Sequence, residues 1–382
     1  APVESVNPWL SVRHLLDRGG NGSGAVFRPE ERLSLEEALP LFTSNPWQAI
    51  GRGAFSGRLA PGYAADVTVL DTNLDKLRGA LKHWGGRVHT LASNALTIRE
   101  QILDADLPGS IIIAGSGAIG VEFAYVMRNF GVDVTIVEFL DRMVPTEDED
   151  VSKELFKHYK KLGVKVMLGT KVEAVEDTGS GVRVTVSPAA GGESTVLEAD
   201  RLLSAIGFAP RVTGFGLEAT GVALTDRGAI AIDGRGRTNV PGVYAIGDLT
   251  APPWLAHKAS HEATICVEKI AGLAHVSPLD ANRIPACTYS HPQVASIGLT
   301  EHKARARGLE VRTGTFPFAA NGKAIAMRQE EGIVKTVFDA TTGELLGAHM
   351  IGSDVTELIQ GFATAMSAEA TETELAHTVF PH

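Results

Sequence analysis

The spacing of hydrophobic positions changes near residue 96 and divides the chain into two unlike parts. Beyond it, short β-branched runs alternate with stretches where apolar residues recur every three or four positions, the pattern of parallel strands joined by helices. This pattern predicts strands at 111–113, 132–137, 164–168, 172–175 and 182–186, and helices at 118–129 and 151–162. The Gly-rich turn at 178–181 predicts a hairpin between the last two strands.

The C-terminal pattern differs in kind from this alternation. Strands are predicted at 311–316, 332–338 and 345–351, followed by helices near 354–366 and 371–379. This order indicates an α+β unit beginning at about residue 284.

The first ninety residues contain weaker signals. Ser34 and Glu37 form a capping box that predicts a helix over 35–44. The alternation from Asp66 to Asp71 predicts a strand, and another short strand is predicted to begin at 85–88. We therefore expect a small mixed α/β segment before the α/β part of the chain.

Composition narrows the class of protein. The chain has 382 residues, 44% hydrophobic and 21% charged, as in a globular protein, with a net charge of −10 that argues against a nucleic-acid partner. No apolar run reaches the ~18 residues of a membrane span. Cys266 and Cys287 lie 21 positions apart, a spacing that favours two buried thiols in a reducing cytoplasm over a redox pair.

One motif carries specific chemistry. Gly115-Ser116-Gly117-Ala118-Ile119-Gly120 follows a predicted strand and opens a predicted helix, the context of a dinucleotide-binding turn. The helix N-terminus would bind a pyrophosphate, and Glu138, at the end of the next strand, would bind the adenosine ribose hydroxyls. A 2′-phosphate would be repelled by Glu138, so NAD(H) is favoured over NADP(H). The alternative is a glycine-rich turn in an α/β domain that binds no nucleotide.

Several further motifs carry a family resemblance. They are Gly115-Ser-Gly-Ala-Ile-Gly-Val-Glu122-Phe, Val134-Thr-Ile-Val-Glu138, Ala205-Ile-Gly207-Phe-Ala-Pro210, Val243-Tyr-Ala-Ile-Gly247-Asp248, Leu255-Ala-His257-Lys258, His291-Pro-Gln-Val-Ala-Ser-Ile-Gly298, Phe316-Pro-Phe and His377-Thr-Val-Phe-Pro-His382. On these residues the chain from about 96 to 382 resembles the dihydrolipoamide dehydrogenases of the flavin disulfide reductase family. The resemblance implies a Rossmann-like NAD-binding domain at 93–215, a central region at 216–283 that contacts FAD in part, and an α+β dimerisation domain at 284–382.

The same resemblance implies roles for individual residues. Glu122 would lie beside the nicotinamide, Asp248 would hold the ribityl chain of FAD, and His382 would be the catalytic base. His257 and Lys258 would lie near the flavin and the lipoyl channel. The implied cofactor-binding residues are Gly115, Ser116, Gly117, Ala118, Ile119, Gly120, Glu122, Glu138, Gly207, Asp248, Leu255, Ala256 and His257. The implied partners are a lipoyl-bearing protein or small dithiol and a second copy of the chain, in the cytoplasm.

The sequence also departs from the family pattern. An FAD-binding N-terminal domain with its own GxGxxG and a CxxxxC redox pair is missing, and the chain stops at His382, before the Glu that orients the imidazole in the family. The first residue is Ala1 rather than Met, which suggests processing or a fragment. We therefore expect NAD binding to survive better than flavin chemistry. The alternative function is a non-catalytic NAD-binding and dimerisation module.

Residues 1–92 carry a second resemblance. Ala1-Pro-Val-Glu4, Pro29-Glu-Glu-Arg-Leu-Ser-Leu-Glu-Glu-Ala38 and Leu59-Ala-Pro-Gly62-Tyr-Ala-Ala-Asp66 are similar to the C-terminal end of a metal-dependent amidohydrolase. The metal-binding His-x-His of that family is missing here, and His14 and His83 stand alone. We therefore predict no metal site, and metal-dependent hydrolysis is the third functional alternative.

Overall fold

The structure is a computed structural model that describes residues 95–97, 101–102, 104, 106–213 and 216–380. The chain divides into two compact units, one comprising residues 88–208 and 280–382 and the other comprising residues 1–87 and 209–279. The elements predicted at 35–44, 66–71 and 85–88 lie outside the described residues, as does the predicted base His382.

Thirteen strands and seven α-helices occur in the described part of the chain. The strands are β1 (Ala95–Thr97), β2 (Ser110–Ala114), β3 (Asp133–Val137), β4 (Lys165–Met167), β5 (Thr170–Asp177), β6 (Val182–Pro188), β7 (Thr195–Ala199), β8 (Arg201–Ser204), β9 (Ala286–Thr288), β10 (Gln293–Gly298), β11 (Val311–Pro317), β12 (Ile333–Asp339) and β13 (Leu345–Gly352). The helices are α1 (Ala118–Asn129), α2 (Glu149–Leu162), α3 (Ala256–Ile270), α4 (Glu301–Ala306), α5 (Gly322–Ala326), α6 (Val355–Ser367) and α7 (Glu372–His377).

A five-stranded parallel sheet supports the predicted nucleotide site. Its strand order is β1-β8-β2-β3-β4, and every neighbouring pair is parallel. Strand β2 lies at the centre of this sheet. Its three consecutive isoleucines give it no polar face, and all three are buried. Leu155 and Tyr159 of α2 are completely buried in the same core. The predicted α/β class is confirmed, and α1 has the predicted bounds.

A three-stranded antiparallel sheet, β5-β6-β7, follows the parallel sheet in the chain. Val182, Val184 and Val186 alternate along β6 and pack in one core with Ile112 and Leu202. Strands β5 and β6 form the predicted hairpin. The sequence pattern missed β7 and β8, which are short and separated by a single residue.

The C-terminal part of the same unit is a second five-stranded sheet, antiparallel throughout, in the order β11-β12-β13-β10-β9. Val355, Ile359, Ala363 and Met366 lie on one side of α6 and are buried against Met350 and other apolar residues of this sheet. Strands β9 and β10 and the short helices α4 and α5 were not predicted, whereas β11, β12, β13 and α6 were.

The described part of the other unit contains little regular structure apart from α3, which the pattern did not predict. A small core of Val212, Ile230 and Ala245 holds its loops together. Isolated bridges join Leu224 to Ile230 and Arg237 to Tyr244.

Candidate functional site

The three glycines of the motif between β2 and α1 occupy three different environments. Gly115 has a φ of +100°, and a Cβ there would lie 2.4 Å from the carbonyl oxygen of Ala205. A Cβ on Gly120 would lie 2.0 Å from the carbonyl oxygen of Gly115, so the helix can approach the turn only because that side chain is absent. A Cβ on Gly117 would meet nothing within 4 Å. The backbone at Gly117 is therefore open to a ligand.

The N-terminus of α1 is electrostatically suited to an anion. Gly117 is its N-cap residue, no side chain caps it, and the first turn carries no acidic residue. The first intrahelical bond runs from Val121 N to Gly117 O at 3.0 Å. The preceding N–H groups, from Ala118 to Gly120, have no acceptor within the helix, so they and the helix dipole favour negative charge.

Glu138 lies beside this turn, directly after β3. Its Oε2 accepts hydrogen bonds from the main-chain N–H of Ser116 at 2.7 Å and from the Ser116 hydroxyl at 2.8 Å. Its Oε1 accepts one from the N–H of Leu140 at 2.8 Å. A carboxylate has about four acceptor positions, so these three contacts fix the group and leave one position, on Oε1, for a sugar hydroxyl. Sequence reasoning missed the contribution of the Ser116 side chain to this arrangement.

Glu122 belongs to the second turn of α1 and is half-buried. Its Oε1 accepts a hydrogen bond from the main-chain N–H of Tyr289, just after β9, at 2.7 Å. The hydroxyl of Tyr159, in α2, donates to the carbonyl of Val121 at 2.7 Å, and burial raises the pKa of that hydroxyl. Helix α1 is thus held by two hydrogen bonds, from Tyr289 and Tyr159, both outside the glycine-rich motif.

Gly207 follows β8, the strand beside β2 in the parallel sheet. Its φ is +118°, and the two residues beside it, Ile206 and Phe208, are 78% and 53% exposed. Ala205 packs behind Gly115 of the turn. The predicted residue Gly207 therefore lies between two exposed apolar side chains, close to the glycine-rich turn.

The remaining predicted residues belong to the other unit. Asp248 lies in a 3₁₀ turn, Gly247–Leu249, and its exposed carboxylate forms no hydrogen bond or ion pair within the described part of the chain. Leu255 is the N-cap residue of α3, and Ala256 and His257 begin the helix with exposed side chains.

Lys258 has a different environment from its neighbour His257. Its ammonium is buried and lies 2.9 Å from Glu262 Oε1, 2.8 Å from Thr250 Oγ1 and 2.9 Å from the carbonyl oxygen of Ala251. The other carboxylate oxygen of Glu262 accepts from the N–H of Gly247 at 2.7 Å. Lys258 and Glu262 therefore tie α3 to the turn that carries Asp248.

The two cysteines lie in different environments: Cys266 is buried, and Cys287 is half-buried. Neither Cys266 nor Cys287 forms a disulfide, and burial raises the pKa of the Cys287 thiol, which disfavours a reactive thiolate. Within residues 106–213 and 216–380, no three His, Cys, Asp or Glu side chains converge on a common metal position. Among the described helices, none has the length and apolarity to cross a bilayer.

The chain matches three protein-family models. Residues 64–263 match the model for pyridine nucleotide-disulphide oxidoreductases, and residues 284–382 match the model for the dimerisation domain of the same proteins. Residues 1–95 match the model of an amidohydrolase family. Both resemblances predicted from the sequence are thereby confirmed.

Two similar relatives are dihydrolipoyl dehydrogenases. The dihydrolipoyl dehydrogenase of Rhizobium etli is 52% identical over 276 residues, which cover 72% of this chain and 57% of the relative. The dihydrolipoyl dehydrogenase of Mycobacterium tuberculosis is 50% identical over 293 residues, 77% of this chain and 63% of the relative. The chain thus spans about six tenths of the length of these relatives.

Solved structures give a matching fold. The crystal structure of LpdA from Mycobacterium tuberculosis superposes with a TM-score of 0.69 at 30% identity, covering 75% of this chain and 61% of that one. The HOCl-induced flavoprotein disulfide reductase RclA from Escherichia coli, solved as a Cu(II) complex, gives a TM-score of 0.69 at 29% identity, covering 77% of this chain and 65% of that one.

Proposed function

Because the chain belongs to the pyridine nucleotide-disulphide oxidoreductase family, we propose that it binds NAD(H) at the glycine-rich turn and serves a reaction of the dihydrolipoyl dehydrogenase type. In that reaction a dihydrolipoyl group and NAD⁺ give a lipoyl group, NADH and a proton. The observation that carries the proposal is the open backbone at Gly117, with unpaired helix amides on one side and the fixed carboxylate of Glu138 on the other.

The described residues fit the nucleotide. The amides from Ala118 to Gly120 would hold its pyrophosphate, as helix N-termini do in dinucleotide-binding folds. Glu138, already oriented by Ser116 and Leu140, would accept a hydrogen bond from a hydroxyl of the adenosine ribose. When bound, NAD⁺ supplies the hydride acceptor, and Glu122 on the second turn of α1 is proposed to flank its nicotinamide.

One part of the chain also fits a flavin. Asp248 presents an exposed carboxylate suited to the hydroxyls of a ribityl chain, and the Lys258–Glu262 pair fixes the turn that carries it. FAD, when bound, supplies the redox centre between dithiol and nicotinamide. His382 is proposed as the base that takes a thiol proton, because the imidazole pKa lies near neutrality. We further propose a homodimer formed through residues 284–382, a lipoyl-bearing protein or small dithiol as partner, and a cytoplasmic location.

Calorimetric titration of the purified chain with NADH and NADPH tests the proposed nucleotide site. NADH is expected to bind more tightly. Glu138→Lys should lower NADH affinity by about tenfold or more, since a hydrogen bond to a charged group contributes about 1.5–3 kcal/mol. The same change should favour NADPH relative to NADH. Glu176→Lys, a charge change on exposed strand β5, is the matched control and should leave the ratio unchanged.

Assays with FAD, lipoamide and NADH then separate the two functional alternatives. Lipoamide-dependent NADH oxidation would support the oxidoreductase. NADH binding with no turnover in the presence of FAD would instead identify a non-catalytic NAD-binding module. Failure of the wild-type chain to bind NADH at millimolar concentration would contradict both.

A further inference from the structure

The segment 143–148 connects the glycine-rich turn to the antiparallel sheet of the same unit. At one end, the N–H of Val144 donates a hydrogen bond to the carbonyl oxygen of Ser116 at 2.9 Å. Ser116 is the residue whose N–H and hydroxyl hold Glu138. The position of Val144 therefore bears directly on the backbone that is proposed to contact the nucleotide.

Val144 has a strained backbone conformation. Its φ is +39°, in the left-handed region that β-branched residues rarely adopt, and its side chain is buried. Such a conformation persists only where the surroundings enforce it. Within the segment, the N–H of Glu147 donates to the carbonyl oxygen of Val144 at 2.9 Å, which closes a turn that begins at the strained residue.

The other end of the segment is anchored by a buried ammonium. Lys335 of β12 places its Nζ 2.9 Å from Asp148 Oδ1, 2.8 Å from Asp150 Oδ2 and 2.9 Å from Glu301 Oε2. The side chains of Lys335 and Asp148 are only 5% and 2% exposed. Glu147, next to Asp148, is itself buried, and its carboxylate Oε2 has no hydrogen-bond partner among the described residues.

The position of Asp148 depends on the positive charge of Lys335. Removing one partner of a buried ion pair leaves the other as an uncompensated charge, which must reach water or move. Without Lys335, Asp148 would be such a charge, only four residues from Val144. A shift of Asp148 would release the turn at Val144 and, with it, the hydrogen bond to Ser116.

We propose that Lys335 is a positioning residue for nucleotide binding: through Asp148 it holds Val144 in its strained conformation and so fixes the Ser116 backbone and the glycine-rich turn. This inference rests on the proposed NAD(H) site. It assigns a nucleotide-positioning role to a lysine of the antiparallel sheet, 187 positions along the chain from Asp148.

NADH affinity in Lys335→Met, measured by calorimetry, tests the role. If the competent turn becomes a minor conformer, at roughly a tenth of the population, the apparent Kd rises about tenfold. The matched control is Lys161→Met, which removes an exposed lysine whose partner, Glu331, precedes the same strand. Its Kd should stay within about twofold of wild type, since exposed ion pairs contribute little.

A rescue experiment distinguishes positioning from general stabilisation. Glycine adopts positive φ without steric cost, so Val144→Gly should make the turn independent of Lys335. In the Lys335→Met background, Val144→Gly should recover most of the lost NADH affinity. Val144→Ala, which removes the same buried methyl groups but still resists positive φ, should not. Equal affinity in the Gly and Ala double variants would overturn the positioning role.

Two further outcomes are decisive. Wild-type affinity in a folded Lys335→Met chain would refute the inference, whereas no NADH binding by the wild-type chain would refute the proposed function itself. If thermal unfolding shows that Lys335→Met does not fold, the binding and rescue experiments use Asp148→Asn in its place. This variant retains an oxygen for the N–H of Asp150 but loses the charge. The expected loss and its rescue by Val144→Gly are the same, and their absence has the same meaning.

Discussion

The carboxylate of Glu122 accepts a hydrogen bond from the main-chain N–H of Tyr289, with 2.7 Å between Oε1 and the nitrogen. Glu122 is on the helix that follows the glycine-rich turn, whereas Tyr289 follows β9 of the antiparallel sheet. The orientation of a residue proposed to flank the nicotinamide thus depends on a backbone amide 167 positions away.

The chemistry of this contact predicts different effects for two substitutions. Glu122→Ala removes the acceptor, and we expect the free energy of unfolding to fall by about 1–2 kcal/mol, near the lower range for a hydrogen bond to a charged group because Glu122 is half-buried. Glu122→Gln keeps an amide oxygen that can accept from Tyr289, so its loss should be smaller. Urea unfolding curves measure both, and equal losses would contradict a role for this hydrogen bond.

The glycine-rich turn provides a matched pair of substitutions. Gly120→Ala should prevent normal packing of α1, since its Cβ would lie 2.0 Å from the carbonyl oxygen of Gly115. Gly117→Ala should leave the fold intact, because its Cβ would meet no protein atom within 4 Å, yet obstruct the proposed pyrophosphate position. Circular dichroism with heating should show a lower Tm only for Gly120→Ala.

NADH titration completes that comparison. Gly117→Ala should weaken NADH binding by about tenfold or more, since the second glycine of this motif allows the backbone to approach the pyrophosphate. Unchanged affinity in a fully folded Gly117→Ala chain would place the nucleotide elsewhere.

Local signals made the parallel-sheet part of this fold predictable. The run Ile111–Ile113 marked the central strand, and Gly131 marked the end of α1, because both signals act over a few residues. Helix α3 escaped the pattern because only Lys258, Ile265 and Cys266 are buried along it, and a buried lysine interrupts the apolar face that periodicity detects.

The parts of the site that the sequence did not predict depend on contacts between residues far apart in the chain. Glu138 could be predicted as a ribose ligand from its place after a strand, but its contact with the Ser116 hydroxyl arises only in the folded structure. Nothing near Lys335 in the sequence marks it as the partner of Asp148 and Glu301, since tertiary structure alone brings β12 to the start of α2.

The Lys258–Glu262 pair predicts a coupled effect on stability. Lys258→Met would leave the Glu262 carboxylate, 11% exposed, without its counter-ion, a change that typically costs about 3–5 kcal/mol. Adding Glu262→Gln removes the orphaned charge while keeping an oxygen for the N–H of Gly247. The double variant should therefore be more stable than Lys258→Met alone.

A local probe is available for this measurement. The indole N–H of Trp254 donates to the carbonyl of Thr250 at 2.8 Å, within the same turn region. The fluorine NMR signal of a fluorotryptophan at position 254, assigned with Trp254→Phe, should follow unfolding of this region in urea. A double variant less stable than Lys258→Met would show that Glu262 does not depend on Lys258.

The Lys335 cluster predicts a specific pH dependence. Hydrogen bonds from Lys335 lower the pKa of Asp150 below 3.8 and that of Glu301 below 4.5. A carboxyl group with a depressed folded-state pKa adds stability at pH values above its unfolded pKa, and that stability is lost as pH falls through the folded value. The free energy of unfolding of the wild type should therefore exceed that of Lys335→Met by its full amount above about pH 5, and this difference should shrink as pH falls toward 3.

Two neighbouring buried groups titrate as well. Burial raises the pKa of Glu147 in both proteins, whereas burial and the charge of Lys335 both lower the pKa of His349, so that His349 changes the stability difference in the same direction as pH falls. Urea unfolding at pH 3 to 7 measures the difference in free energy of unfolding between the two proteins, called the gap below. Lys161→Met is the control. The ammonium of Lys161 is exposed and that of Lys335 is buried, so high salt should reduce the acid-dependent stability difference more for Lys161→Met than for Lys335→Met. A Lys335 gap that is constant across this pH range would mean that Asp150 and Glu301 do not stabilise the fold through Lys335.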